Sequence, residues 1–176
     1  MNNNNGGTNA NNTTQKKGKK EIPAGLKKLD CSENSITQII NIPSTLKKLN
    51  CEYNCITHLD NLPNNLKKIN CNYNNISNLD NLPYNLEILY CCGNNLTNLD
   101  NLPQSLKELY CYSNQIINLD NLPPNLLILD CNNNNLINLD NLPINLKILY
   151  CQNNPLIYNF NPTIENIKKN NSKLKN

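Results

Sequence analysis

The sequence predicts a repeat solenoid with a parallel β-sheet on its concave face, an extended, polyproline-like convex side and a short C-terminal capping helix. Three observations carry this. Seven cysteines, Cys31, Cys51, Cys71, Cys91, Cys111, Cys131 and Cys151, stand 20 residues apart. Each sits in a copy of one phrase, shown by the third: Leu62-Pro63-x-x-Leu66-Lys67-x-Ile69-x-Cys71-x-x-Asn74-x-Ile76-x-x-Leu79-Asp80-Asn81. A fixed period near 20 residues marks a solenoid, in which one repeat cannot bury its apolar face and stacked repeats form a continuous core. The third observation is that the phrase decays after Cys151 into Asn161-Pro162-Thr163-Ile164-Glu165, which reads as a helix start with a capping residue, Pro at the first position and an early acid.

The strand comes first in each repeat. Alternation across Leu49, Asn50 and Cys51 has the period of two of a half-buried strand. Seven such strands at fixed spacing stack in parallel and in register, with Leu46, Leu49, Cys51, Ile56, Leu59 and Leu62 and their equivalents pointing inward. Six spacings of about 4.8 Å make the sheet roughly 29 Å long. Next comes a complete column of Asn34, Asn54, Asn74, Asn94, Asn114, Asn134 and Asn154. There the chain leaves the strand, and an Asn amide can both donate to and accept from the stranded backbone groups, bridging neighbouring turns.

On the return path Pro63, Pro83, Pro103, Pro123 and Pro143 fix φ and disfavour helix before them, so the convex side should be thin. Asp60, Asp80, Asp100, Asp120 and Asp140 stack like charges a rung apart. Either each carboxylate accepts backbone N–H groups two residues on, or a cation such as calcium sits between neighbours.

Residues 1–21 hold almost no apolar side chains and read as a disordered tail. The array spans 22–161, and 162–176 form a capping helix, placed near 162–170, and a basic tail. Ile164 and Ile167 would cover the last repeat, while nothing comparable precedes the first, leaving a strand edge open to self-association or fraying. All sixteen basic residues are Lys; the tails carry eight of them against two acids, and the array eight against eleven. A solvated tail and weak contact with nucleic acid or an anionic surface are both readings of those lysines. The absence of Arg argues against base-specific readout. No apolar run approaches a membrane span and no apolar stretch resembles a leader, so the expectation is a soluble, cytoplasmic protein.

The periodic cysteines occupy inward positions, where a free thiol behaves as a small hydrophobe. Disulfides between rungs would be strained, so the ladder implies a reducing compartment. With no Cys-x-x-Cys and one histidine, zinc is not expected. His58 falls in a polar column with Gln38, Asn78, Asn98, Asn118 and Asn138 and reads as a surface residue. Cys55 and Cys92 lie off the ladder and are the candidates for exposed, reactive thiols.

These residues resemble the leucine-rich repeat family, whose core phrase is Leu-x-x-Leu-x-Leu-x-x-Asn-x-Leu; here Cys takes the third Leu position. The likeness covers about 140 of the 176 residues. The Leu-Pro-x-x-Leu lead and 20-residue length look like the short subtype of bacterial secreted effectors. The Asn-, Ile- and Lys-rich wording is also similar to repeat proteins of giant DNA viruses of amoebae, which would place the chain in the host cytoplasm. Some effectors continue into a ubiquitin-ligase domain with a catalytic Cys, an activity that is not carried over to this chain. The resemblance implies protein–protein recognition through the concave face.

Outward strand residues are polar on the first three strands: Lys28, Asp30, Ser32; Lys48, Asn50, Glu52; Lys68, Asn70, Asn72. The next four display Ile88, Tyr90, Tyr110, Tyr112, Ile128, Ile148 and Tyr150 among polar residues. Clustered apolar and aromatic groups mark binding sites, and Tyr is favoured at them. Cross-strand packing of good strand formers is the competing account. Tyr53 and Tyr73 extend the surface at its edge. With no nucleophile–base pair or phosphate loop, the sequence is read as a non-catalytic, cofactor-free scaffold for a protein partner. Self-assembly, or anion binding through the Lys-rich tails, is the alternative.

Overall fold

A computed structural model describes residues 22–174. Seven three-residue strands follow in chain order: β1 (Lys28–Asp30), β2 (Lys48–Asn50), β3 (Lys68–Asn70), β4 (Ile88–Tyr90), β5 (Glu108–Tyr110), β6 (Ile128–Asp130) and β7 (Ile148–Tyr150). They form one sheet in the order β1 to β7, every pair parallel and offset by one repeat, as in Leu49↔Ile69. The central residue of each strand points into the core, and Leu89, Leu109 and Leu129 are wholly buried there. Beneath them lie Leu46, Leu66, Leu86, Leu106 and Leu126 and the thiols of Cys51, Cys71, Cys91, Cys111 and Cys131, all fully buried.

The thiols also hydrogen-bond. Cys31, Cys51, Cys71, Cys91 and Cys131 each direct Sγ–H at a carbonyl of the next rung, at 3.2 to 3.5 Å. The core position therefore takes a side chain small enough to fit under the strand and able to donate weakly.

Each strand is fed by a tight turn. The N–H of Leu26, Leu46, Leu66, Leu86, Leu106, Leu126 and Leu146 donates to the carbonyl of the Pro three residues earlier, at 3.0 to 3.1 Å. Pro-x-x-Leu is thus a β-turn that aims the chain into the sheet, and no helix occupies the convex side among the described residues. The residue after each strand's Cys-x pair (Glu33, Tyr53, Tyr73, Gly93, Ser113, Asn133, Asn153) has φ between 52° and 61°, turning the chain inward toward the Asn column.

The Asp column is satisfied differently from the expected capping of backbone N–H groups two residues on. Asp60, Asp80, Asp100 and Asp120 accept from the side-chain amide of the Asn 21 residues ahead (Asn81, Asn101, Asn121, Asn141) at 2.9 to 3.2 Å. Asp140 accepts from the Tyr158 hydroxyl at 2.8 Å. The carboxylates reach along the array and tie rung to rung. The backbone N–H groups of Asp80, Asp100 and Asp140 are instead covered by Asn78, Asn98 and Asn138.

The helix α1 (Ile164–Leu174) closes the C-terminal end. Its cap is Thr163, whose Oγ1 accepts from the Asn166 N–H at 3.2 Å, so Pro162 lies just outside the helix rather than at its first position. Ile167 is wholly buried against the last rung and Ile164 half-buried. Lys168 Nζ and the Asn171 amide donate to the carbonyls of Ile144 and Asp140, both at 2.8 Å. The sequence reading of residues 1–21 as a tail lies outside the described residues. None of the helices described is long and apolar enough to cross a membrane.

Candidate functional site

The concave face is built from the outward residues of the strands, so register decides which side chains meet. Tyr90 and Tyr110 are register partners on β4 and β5, and their rings stack with centroids 4.5 Å apart and planes 1° from parallel. Asp130 follows in that column and Tyr150 after it. In the neighbouring column Ile88, Glu108, Ile128 and Ile148 succeed one another. The Tyr110 hydroxyl donates to Glu108 Oε2 at 3.3 Å. Burial, reinforced by the Glu108 charge, pushes the Tyr110 phenol up to about 12. Burial also raises the Asp130 carboxyl above its ordinary value. The sheet thus brings Tyr90 and Tyr110 together as a half-buried pair and leaves Ile148 and Tyr150, on the last strand, most open, at 41% and 46% exposure.

Tyr112 belongs elsewhere. Its hydroxyl meets that of Tyr73 at 2.7 Å, a contact that raises the Tyr112 phenol. Tyr73 in turn stacks on Tyr53 with centroids 4.6 Å apart. These three rings form an arc along the rim of the sheet, and Gly93 permits it. A Cβ on Gly93 would lie 2.6 Å from Cδ1 of Tyr73, and its φ of 61° is in the left-handed region. Gly93→Ala should therefore displace the Tyr73 ring and lower stability by about 1–2 kcal/mol. Near-UV circular dichroism reads the ring arc directly, and an unchanged tyrosine signal would show that the arc does not rest on Gly93.

Two sequence-predicted thiols part company. Cys55 is exposed, whereas Cys92 is buried at 1% exposure and donates Sγ–H to the Tyr110 carbonyl at 3.2 Å. Burial pushes the Cys92 thiol up to about 12, which makes it the reverse of reactive. Its position alternates outward, but a side chain this short folds back against the strand beside Tyr112. His58 is exposed, with a ring nitrogen 2.8 Å from the Thr57 hydroxyl.

Each Asn of the complete column bridges two rungs where a preceding rung exists. The Asn74 amide donates to the carbonyls of Cys51 and Cys71 at 3.0 and 3.1 Å, while its Oδ1 accepts from the Ile56 N–H at 2.9 Å. Asn54, Asn94, Asn114, Asn134 and Asn154 repeat the pattern. Asn34 donates only within its own rung, to Cys31 and Ser32.

Sequence reasoning missed two columns. Thr45, Asn65, Asn85, Ser105, Asn125 and Asn145 each donate to a carbonyl 21 residues earlier, a further polar ladder on the convex turns. Its signal was the run of small polar donors two residues after each Pro. The second, Ile117, Ile137 and Ile157, is an exposed apolar stripe where the first four repeats carry Thr or Ser.

A thin parallel solenoid with an Asn ladder and a buried thiol ladder defines a leucine-rich repeat scaffold. No family model matches the chain, and no curated protein does. Solved structures do. The leucine-rich repeat domain of a Shigella effector is 30% identical with a TM-score of 0.70, over 76% of this chain and 61% of that one. YopM, a leucine-rich effector protein from Yersinia pestis, is 30% identical with a TM-score of 0.70, over 75% of this chain and 37% of its own. A functional domain of InlJ from Listeria monocytogenes that includes a cysteine ladder is 32% identical with a TM-score of 0.56, over 77% and 36%. The chain spans between about a third and three fifths of these proteins. Its fold is similar to that of the leucine-rich repeat domains of these effectors.

Proposed function

We propose that this chain is a non-catalytic scaffold that binds another protein on the concave sheet face, through Ile88, Tyr90, Tyr110, Ile128, Ile148 and Tyr150, with Tyr112 on the adjoining rim. The carrying observation is the pair of exposed Ile148 and Tyr150 on β7, on the same sheet face as the half-buried Tyr90–Tyr110 stack and with one strand between them. Large apolar side chains left open beside a rigid aromatic pair form the kind of anchor that dominates interfaces. Its rigidity also lowers the ordering cost of binding. The likeness to effector repeats supports the reading, because such scaffolds commonly mediate protein–protein contact.

Affinity capture from cell lysate, with wild type beside an Ile148→Ser/Tyr150→Ser double variant, tests it. The protein retained by wild type should be lost from the variant while the circular-dichroism spectra coincide. Equal retention by both would remove the concave-face reading. Self-association is the second reading. It is favoured by the outer edge of β1, which pairs with no strand among the described residues, whereas α1 covers the opposite end. Sedimentation over a range of concentrations separates the two, since a strict monomer excludes self-association.

A further inference from the structure

The concave face changes character along its length. At the first outward strand position the sequence reads Lys28, Lys48, Lys68, then Ile88, Glu108, Ile128, Ile148, and the three lysines are direct register partners on β1, β2 and β3. Parallel strands lie about 4.8 Å apart, so each ammonium group is rooted well inside the roughly 8 Å screening length of its neighbour. Like charges placed opposite one another across strands are unfavourable. The adjoining column relieves that repulsion: Glu87 is ion-paired to both Lys67 and Lys107, at 2.8 and 2.9 Å. The concave stripe has no such acid. Among the described residues Lys28 and Lys48 form no ion pair, and Lys68 lies over the Tyr90 ring, 4.6 Å from its centroid. Nearby acids are engaged elsewhere: Asp30 accepts from the Ser32 amide and hydroxyl, and Glu52 from the Asn70 amide at 2.7 Å.

We infer that this face recognises an extended protein segment made of an acidic block and an apolar block. The acids would lie on the Lys28–Lys48–Lys68 stripe and the apolar residues on Ile128, Ile148 and Tyr150. The inference rests on the concave-face reading above and adds the chemistry of the partner. The middle of the stripe is on β2 and the middle of the apolar surface near β6, four strand spacings or about 19 Å away. An extended chain covers that distance in about six residues.

A nucleic acid fits less well. The chain has no Arg, and the Tyr53–Tyr73 and Tyr90–Tyr110 rings already stack on each other. Glu108 and Asp130 stand within the apolar half, where they would repel a phosphate backbone running the length of the face. A partner acidic at one end only avoids them.

Random 16-residue peptides displayed on phage, selected on the full chain, provide the test. Parallel selections use a Lys28→Ser/Lys48→Ser/Lys68→Ser variant and the Ile148→Ser/Tyr150→Ser variant, all checked for fold by circular dichroism. Wild type should enrich peptides with an Asp/Glu block and an apolar block about six residues apart. In fluorescence anisotropy one such peptide should bind the lysine variant at least tenfold more weakly, and should weaken severalfold between 50 and 300 mM salt. Apolar-only peptides that bind the lysine variant normally but not the Ile148/Tyr150 variant would overturn this inference and leave the concave-face reading standing. No enrichment on wild type, or binding unaffected by either variant, would overturn both. Tighter binding of a 16-nucleotide uridine RNA than of any selected peptide would also overturn the acidic-segment assignment.

Discussion

Raising the pH from about 8 to 11 in reducing buffer should unfold the protein cooperatively, because its core contains a column of protonated thiols. Cys51, Cys71, Cys91, Cys111 and Cys131 have no exposed surface. Burial raises the pKa of each, and neighbouring thiols add to the rise. In an unfolded chain a thiol titrates near 8.5. Native pKa values raised above the unfolded value mean that this contribution to stability is whole below about 8. It drains away as the unfolded state, but not the native one, releases protons. Each such thiol removes about 1.4 kcal/mol per pH unit, so five remove about 7 kcal/mol per unit above pH 9. Against a domain stability of about 5–15 kcal/mol, the alkaline midpoint should fall within one or two units of pH 9. Cys31, pushed up to about 11, and Cys92, pushed up to about 12, extend the same trend. Urea midpoints measured at pH 7, 8, 9 and 10 give the slope, and Cys91→Val should flatten it by one thiol's share. A midpoint unchanged to pH 10 would mean that the thiols ionise in place, reached by water.

Strand positions, the inward Leu and Cys residues and the bridging Asn column were legible because each depends only on period. A side chain that recurs every 20 residues in a stacked array meets its own copy, so Leu49 must lie over Ile69. What period cannot express is reach. Asp80 and Asn101 occupy different phrases of the repeat, yet the amide spans to the carboxylate one rung back. Local turn chemistry, which points Asp at its own backbone, therefore misassigned the column. Cys92 alternates outward by count but is short enough to fold against the strand. Tyr73 and Tyr112 are 39 residues apart and meet at their hydroxyls, with the Tyr73 ring lying across the space that a Cβ on Gly93 would fill. Single departures from the repeat, rather than the repeat itself, shape the candidate site. For the same reason the lysine stripe and the Ile117–Ile157 stripe became meaningful only once exposure was known.

Asn94→Ala should destabilise the array by about 3 kcal/mol, while Asn34→Ala should cost less than about 1 kcal/mol. The same residue type in the same column differs in what it leaves behind. Asn94 is buried, donates to the carbonyls of Cys71, Cys91 and Cys92 at 3.0 to 3.2 Å, and accepts from the Ile76 N–H at 2.9 Å. Removing it strands the buried Ile76 N–H, worth about 1–3 kcal/mol before relaxation, and takes one of two amide donors from each of the Cys71 and Cys91 carbonyls, which keep those of Asn74 and Asn114. Asn34 reaches only Cys31 and Ser32 in its own half-exposed rung, where water can replace it. Urea unfolding of the two variants measures the difference, and equal losses would mean that bridging between rungs contributes nothing. The position of Asn94 adds a second signature. Repeat arrays are stabilised by nearest-neighbour interfaces, so a weak central interface lets the two ends unfold separately. Asn94→Ala should then lower the urea dependence as well as the midpoint, because each transition exposes less surface. The fourth rung is also where the lysine stripe gives way to the Ile and Tyr residues. The Asn ladder there holds the two halves of the concave face in one register, so the loss of one buried amide should loosen a binding surface that it does not touch.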